Sequence, residues 1–478
     1  MQSELLALSA TELARRIREG EATSRAVVEA HIAQAQRVNP YINAIVRDRY
    51  QAALAEADAA DAAIARGGKN LPPLHGVPCS IKENFAFKGM PQASGLVARK
   101  HMVSDHDAPT VARYRAAGAI PIGVTNTSEL CMWMESNNRV YGRSNNPYDP
   151  AHIVGGSSGG EGAIIGSGSS PFGLGADVGG SIRMPAFFNG VFGHKPTPGI
   201  VPNTDQVPMP IGDILKYCVT GPLARRAEDL WPLLQILAGP DEGDSISGSV
   251  QLGNIESVDL SRLNVINITG NGRQRVSAEM QRAQQRAVEG LTPHVATVRK
   301  AAVNELRKSF EIWGAMMAAA GGPSFSHQLG NGRDVALFKE FAKWSLRQSD
   351  HTLPALSLAL TEKLPLPKRF VDMGAQLREK LLDLMGDDGV ILYPPYTCTA
   401  PRHYVPLART FDWVYCGIIN VMGLPATQVP MGLDERGLPL GVQVIGPPGK
   451  DHVTIAVAMK LEALFGGWIP PWRAHRRF

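Results

Sequence analysis

Glycine and serine crowd into two neighbouring segments of this chain, IVGGSSGGEGA at residues 153–163 and GADVGGSIRMP at residues 175–185. The chain has 49 glycines and 35 prolines among 478 residues, a larger share than the roughly 12% of an average protein. Glycine allows tight turns and lets other groups approach the backbone closely. We therefore expect tight turns here, at which another group lies close to the backbone.

Around these segments, helical patterns alternate with short apolar runs. Ser9 and Glu12 form a capping box, and Gly20 ends the helix that it begins. AIPIGV at residues 119–124 has the length and apolar character of a buried strand. Further strands are predicted at 263–268, 389–393 and 440–445, and further helices at 50–66, 227–238 and 452–465. This alternation predicts an α/β fold with a largely internal sheet.

Composition excludes several classes of protein. The formal net charge of +4 is too small to indicate nucleic-acid or membrane-surface binding. The five cysteines are widely spaced and form no CxxC pair, which argues against a disulfide framework or a zinc site. The first residues lack the features of a secretory signal. We expect a soluble cytoplasmic protein, with no cofactor and no metal.

The two glycine-rich segments allow three interpretations. They could be flexible turns without chemistry, or a phosphate-binding loop, although Pro185 follows too soon for a loop that should open a helix. They could also hold a nucleophilic serine, because Ser157 and Ser158 each fit a GxSxG pattern. That pattern requires a downstream histidine, and none of His194, His327, His351 or His403 stands in a distinctive segment.

Lysine is the alternative base for such a serine. Lys82 follows the apolar, proline-directed run HGVPCSI, and burial disfavours the ammonium form of a lysine, which would let its neutral amine accept a proton. The ordinary interpretation is a solvated Lys82–Glu83 charge pattern. Lys82 alone therefore indicates no chemistry.

Taken in order, the GVP-led lysine, the GGSSGG loop and the GGSIR segment resemble the amidase signature family. GHKPTPGIVP, NVMGLPATQVP and GLPLGVQVIG extend the likeness over most of the chain. The residues around Glu161 look most like the fatty acid amide hydrolase branch, especially its second vertebrate type. The N-terminal membrane helix of that branch is not found here, so we expect no stable membrane insertion.

The resemblance implies a single α/β domain over residues 1–478, with a mixed twisted sheet between helices, whereas length alone suggests two to four domains. Its core is residues 74–225, called here the motif region. Residues 301–368, called here the helical region, look helical and atypical. Apolar helical faces usually form core, but these helices could also shape a substrate pocket.

The resemblance also assigns roles. Ser181 is the expected nucleophile, Ser157 the bridging serine and Lys82 the base, and the Gly156–Ser157 peptide is expected to be cis. The expected oxyanion donors are the backbone N–H groups of Val178, Gly179, Gly180 and Ser181. The residues expected to support the triad are Ser158, Asp177 and Arg183, with an Asp177–Arg183 pair holding the Ser181 turn.

Cys131, Met132 and Trp133 correspond to the family's acyl-pocket wall and suit an apolar or aryl substrate, although core packing explains them nearly as well. A thiol nucleophile at Cys131 is a weaker alternative. We expect hydrolysis of a small hydrophobic amide through an acyl-enzyme, with esters or carbamates as further substrates. The alternatives are a glutamine-hydrolysing amidotransferase subunit and a non-catalytic binding protein. A homodimer is left open.

Overall fold

The computed structural model describes residues 2–362 and 366–474, and the helix Ala10–Arg18 begins directly after the predicted capping residue Ser9. Ser9 Oγ accepts a hydrogen bond from the Glu12 backbone N–H at 3.0 Å, and the Thr23 side chain caps the next helix in the same way. Each side chain satisfies an N–H group that the first turn of a helix leaves without a backbone partner.

The α-helices have the following bounds. They are α1 Gln2–Leu5, α2 Ala10–Arg18, α3 Ser24–Ile42, α4 Tyr50–Ala65, α5 Pro109–Ala116, α6 Gly159–Gly166, α7 Arg183–Phe188, α8 Leu230–Leu237, α9 Ala278–Leu291, α10 Ser309–Ala320, α11 Phe325–Leu329, α12 Leu337–Ser345, α13 Leu353–Thr361, α14 Arg369–Met385, α15 Val405–Ala408, α16 Val414–Val421, α17 Asp451–Phe465 and α18 Pro471–Ala474.

The strands have the following bounds. They are β1 Ile45–Asp48, β2 Pro78–Lys82, β3 Ile120–Thr125, β4 Asn137–Asn138, β5 Gly142–Arg143, β6 Phe172–Asp177, β7 Phe192–Lys195, β8 Val219–Ala224, β9 Asn264–Asn267, β10 Thr297–Lys300, β11 Gly389–Tyr393, β12 Ala426–Leu433 and β13 Pro439–Ile445.

Eleven strands form one mixed sheet in the order β1-β3-β2-β6-β8-β7-β12-β13-β11-β9-β10. The β3-β2-β6 and β11-β9-β10 neighbours are parallel, and the remaining pairs are antiparallel. β4 and β5 form a separate hairpin. Most central strands are buried along their whole length, as expected for a sheet covered by helices on its faces.

Helices pack against this sheet to complete a single domain. α4 packs on β3, α8 on β8, α9 on β13 and α17 on β12. The predicted α/β fold with an internal sheet is confirmed, and β11 has the predicted bounds, 389–393. Within the described part of the chain, no helix combines the length and apolarity needed to cross a lipid bilayer.

The helical region contains α10 to α13, as its pattern predicts, and residues 363–365 of it lie outside the described residues. A separate apolar cluster holds α11, α12 and α13 against the motif region, and it includes Leu96 and Leu130 of the latter. The segment between Gly239 and Arg262 contains two short 3-10 turns, Ile255–Ser257 and Leu260–Arg262.

Candidate active site

Three of the predicted site residues lie near one edge of the sheet, because β2 and β6 are parallel neighbours. Lys82 is the last residue of β2, and Ser181 lies in the turn that follows β6. Ser157 lies just before α6, which packs on both strands. Carboxyl ends of neighbouring parallel strands meet at one edge of a sheet, which is where α/β proteins commonly place their sites.

Lys82 and Ser157 are in direct contact. The distance from Lys82 Nζ to Ser157 Oγ is 2.7 Å. Lys82 is 0% exposed and Ser157 is 1% exposed, so the Lys82–Glu83 pattern is not a solvated surface feature. A buried amine and hydroxyl at hydrogen-bond distance can exchange a proton with little competition from water.

The backbone before Ser157 is held in a tightly packed environment, and the Gly156–Ser157 peptide is cis. A Cβ on Gly156 would collide with the Trp133 carbonyl oxygen and the Glu135 backbone nitrogen. Ser136 Oγ donates to the Ser157 carbonyl at 3.0 Å. Only glycine leaves room for the 133–135 backbone to lie this close to the Ser157 loop.

Ser181 is 7% exposed and lies in a turn closed by Asp177. Asp177 Oδ1 accepts the Gly180 N–H at 2.7 Å, and Asp177 Oδ2 accepts the Ile182 N–H at 3.1 Å. The Ser158 N–H donates to the Ser181 carbonyl at 3.2 Å, which ties the two serine loops together. Among the described residues, the structure gives no hydrogen bond between the Ser157 and Ser181 hydroxyl groups.

The expected oxyanion donors differ in their availability. The Gly180 N–H is bonded to Asp177. The N–H groups of Val178, Gly179 and Ser181 have no hydrogen-bond partner among the described residues. These three groups are therefore free to bind a ligand oxygen.

Asp177 and Arg183 form a completely buried ion pair, with Arg183 Nε 3.1 Å from Asp177 Oδ2. Burial alone would raise the pKa of Asp177, but the charge of Arg183 and hydrogen bonds from Arg183 and Asn420 hold that pKa below its usual value. The carboxylate therefore stays ionised and keeps its hold on the Gly180 and Ile182 N–H groups.

Two residues that complete this network have no role in the sequence interpretation. Arg183 donates to Asn420 Oδ1 at 2.6 Å and to Gln443 Oε1 at 2.9 Å. Asn420 Nδ2 donates to Asp177 Oδ1 at 2.9 Å. Both residues lie in segments that carry the resemblance to the family, NVMGLPATQVP and GLPLGVQVIG. In each segment a polar side chain stands within an apolar run, and this is the signal by which the sequence could have indicated a buried polar role.

Glu161 lies on α6, on the side of the sheet that carries Ser80 and Thr125. Its two carboxyl oxygens accept hydrogen bonds from the Ser80 and Thr125 hydroxyl groups, each at 2.7 Å. Thr125 is the register partner of Lys82 on the neighbouring strand. Burial raises the pKa of Glu161 to about 8, although these two hydroxyl groups and the charge of Lys82 oppose the shift.

Cys131, Met132 and Trp133 are half-buried and lie in the segment that contacts Gly156. Leu130 and Cys131 both have left-handed backbone conformations, with φ values of 49° and 60°. The Leu130 N–H donates to the Ser94 carbonyl at 2.8 Å. This segment therefore lies next to the loop that carries Ser157.

No group of three or more His, Cys, Asp or Glu side chains within residues 2–362 and 366–474 is arranged to hold a metal ion. The polar groups of this site instead bond to one another and to the backbone.

Comparisons with known proteins agree with this fold. The Amidase family matches residues 26–455. Fatty-acid amide hydrolase 2-A of Danio rerio is 45% identical over 487 residues, covering 98% of this chain and 90% of the relative. Fatty-acid amide hydrolase 2 of Homo sapiens is 44% identical over 489 residues, covering 98% and 91%. The solved structure of 6-aminohexanoate cyclic dimer hydrolase complexed with substrate is 25% identical, with a TM-score of 0.79 and coverage of 96% and 97%.

The fold and these matches define an enzyme that hydrolyses amide C–N bonds. The chain belongs to the amidase signature family and is similar to the fatty-acid amide hydrolases over nearly its whole length. The resemblance read from the sequence motifs is confirmed.

Proposed function

We propose that the enzyme hydrolyses hydrophobic acyl or aryl amides through an acyl-enzyme on Ser181, with Ser157 and Lys82 as a proton relay. The main support is the buried 2.7 Å contact between Lys82 Nζ and Ser157 Oγ. When Lys82 is neutral, the Ser157 hydroxyl would donate to Nζ across this distance. Ser157 can then accept the Ser181 proton as Ser181 attacks the carbonyl carbon.

The same relay in reverse protonates the departing amine, which is the demanding step of amide cleavage. Free N–H groups at Val178, Gly179 and Ser181 would bind the oxyanion of the tetrahedral intermediate. Water entering after the amine leaves then attacks the acyl-enzyme, with the relay acting again as base.

Two observations support an apolar substrate. The half-buried Met132 and Trp133 lie beside the Ser157 loop, and soft or aromatic side chains suit acyl chains and aryl rings. The similarity to fatty-acid amide hydrolases makes fatty acyl amides the first class to assay. Esters and carbamates are further candidates, because their carbonyl groups could use the same oxyanion donors. We expect the enzyme to act in the cytoplasm without a nucleic-acid partner.

Labelling with a fluorophosphonate probe tests the nucleophile. The wild-type enzyme should be labelled, and Ser181→Ala should abolish both labelling and amide hydrolysis. Ser345→Ala, which changes an exposed serine of α12, should retain both. A Ser181→Ala protein that hydrolyses amides at the wild-type rate would show that the assignment is wrong.

Lys82→Ala tests the base separately. Removing a positioned acid–base group typically lowers the rate by about 10²–10⁴-fold, and amides should suffer more than esters because the amine leaving group needs the returned proton. A panel of fatty acyl amides, anilides, carbamates, esters and glutamine would then rank the substrates. Rapid turnover of glutamine alone would favour an amidotransferase subunit instead.

A further inference from the structure

Trp313 of α10 contacts the turn that carries the proposed oxyanion donors. Its indole Nε1–H donates to the Val178 carbonyl oxygen at 3.1 Å. Val178 is the first residue after β6, whereas Trp313 lies 135 positions later in the helical region. This hydrogen bond joins the helical region to the turn that follows β6.

The geometry of a trans peptide gives this bond a consequence. The carbonyl and the N–H of one peptide unit point in opposite directions when the peptide is trans, and the peptide between Val178 and Gly179 is not among the cis bonds. Fixing the Val178 carbonyl toward α10 therefore points the Gly179 N–H away from α10. That N–H has no hydrogen-bond partner among the described residues.

The position of the indole is itself constrained by packing. The rings of Trp313 and Trp413 meet edge to face, with centroids 4.7 Å apart and planes at 82°. A Cβ on Gly179 would lie 3.3 Å from the Trp413 ring and 3.9 Å from the Trp313 ring. The two indoles therefore lie directly against the turn and against each other.

The turn is thus held from two directions. Asp177 binds the Gly180 and Ile182 N–H groups, which fixes the end of the turn near Ser181. No Asp177 oxygen accepts the Gly179 N–H among the bonds of the described residues, so the peptide between Val178 and Gly179 depends on Trp313. A hydrogen bond to a carbonyl also polarises its peptide and strengthens the N–H as a donor.

We propose that Trp313 is a positioning residue that aims the Gly179 N–H at the developing oxyanion by holding the Val178 carbonyl from the opposite side. This inference rests on the proposed hydrolysis at Ser181. It gives the helical region a part in catalysis that acts through the Val178–Gly179 peptide, apart from any part in shaping the substrate pocket.

Trp313→Phe tests the proposal because it keeps an aromatic ring and removes the donor. Loss of one neutral hydrogen bond should lower kcat by about three- to tenfold, with KM within about twofold. Affinity for a trifluoromethyl ketone, which forms an oxyanion when Ser181 adds to it, should fall by a similar factor. Affinity for the corresponding alcohol, which forms no oxyanion, should be unchanged.

Trp468→Phe is the matched control. Its indole also donates to a backbone carbonyl, that of Gly166, at 3.0 Å and in a buried position away from the turn. It should lower the unfolding midpoint without changing kcat or ketone affinity. If Trp313→Phe is poorly folded, benzothienylalanine at position 313 keeps the indole shape without the N–H and should give the same kinetic defect.

The proposal is wrong if either substitution at position 313 folds and retains wild-type kcat and ketone affinity. Failure of the proposed function looks different, because it would appear as fluorophosphonate labelling and turnover that persist in Ser181→Ala. The two results come from different variants and can be told apart in one series of measurements.

Discussion

The motif region and the helical region bury different kinds of side chain. In the motif region, Lys82, Glu161, Asp177 and Arg183 are all 0% exposed and are held by polar partners at hydrogen-bond distance. The helical region is packed mainly by apolar contacts. Large apolar side chains are exposed in both regions: Phe338, Leu346 and Leu360 in the helical region, and Met102, Val103, Met209 and Ile211 in the motif region.

This difference indicates where each region tolerates change. A buried polar network requires every partner, since an orphaned charge loses its solvation without compensation. An apolar helix surface tolerates substitution wherever the side chain is not buried. We therefore expect substitutions in the motif region to be costly individually, and the cost in the helical region to depend on burial.

The largest effect on stability should follow loss of Arg183. Arg183→Met leaves the Asp177 carboxylate buried without its counter-ion, and breaking a buried pair in this way typically costs about 3–5 kcal/mol of unfolding free energy. Urea unfolding at pH 7 measures this. Arg25→Met breaks surface pairs with Glu29 and Asp58 that are roughly half exposed and should cost far less, because water and salt screen exposed pairs.

The double variant Asp177→Asn with Arg183→Met separates charge from packing. It should be more stable than Arg183→Met alone, because no uncompensated charge remains. If Arg183→Met and Arg25→Met proved equally stable, the buried network would not be the more demanding of the two.

Several parts of the fold could be predicted from the sequence because their signals are local. Ser9 caps α2 within three residues, and strand β11 has the bounds that its apolar run predicts. The contacts of Asn420 and Gln443 with Arg183 span 237 and 260 positions. The Trp313 contact spans 135. A polar side chain within an apolar run marks Asn420 and Gln443 in the sequence, but their pairing with Arg183 depends on how the whole sheet assembles.

Removing the hydrogen bonds that link the motif region to the helical region should give the next largest effect on stability. Glu129 is buried beside Cys131 and accepts hydrogen bonds from His351 Nδ1 and the Thr352 N–H, both at 2.8 Å. Glu129→Ala leaves these donors unsatisfied, at a cost of about 1–3 kcal/mol. Hydrogen exchange should accelerate in α13, while the strands of the motif region keep their protection.

Glu362→Ala is the comparison for that experiment. Glu362 accepts the Phe325 and Ser326 N–H groups, so its loss should loosen α11 without releasing α13 from Glu129. Equal acceleration of both helices in both variants would mean that the helical region opens as one unit, independently of its link to the motif region.

Glu161→Gln should change how stability depends on pH. Burial raises the pKa of Glu161 from 4.5 to about 8, so at pH 7 the folded enzyme holds this proton and the unfolded chain has lost it. The stabilisation that this proton contributes is therefore complete below pH 4.5, and it is lost as pH rises from 4.5 toward 8. The slope is about 1.4 kcal/mol per pH unit. A glutamine at this position has no proton to lose, so the variant should lack this part of the slope in urea unfolding measured from pH 5 to 8.

Glu83→Gln is the informative contrast. Burial raises the pKa of Glu83 to about 7, but its oxygens accept the Ala93 and Ser94 N–H groups, so a glutamine NH₂ would face a donor there. The hydroxyl partners of Glu161 can instead rotate to accept from glutamine. We therefore expect Glu83→Gln to be less stable than wild type at every pH. If the unfolding free energy of Glu161→Gln depended on pH as steeply as that of wild type, Glu161 would not be protonated in the folded enzyme at pH 7.

The smallest effect should come from Phe338→Ser in the helical region. Phe338 is 88% exposed, whereas Leu356 in neighbouring α13 is 0% exposed. The serine substitution removes almost no buried apolar area, so unfolding free energy should stay within about 0.5 kcal/mol of wild type. Leu356→Ala should cost about 2–5 kcal/mol because it leaves a cavity among α11, α12 and α13. A large loss in Phe338→Ser would mean that this side chain is covered in solution. The helical region would then be sensitive to substitution even at its surface, and its contrast with the motif region would not hold there.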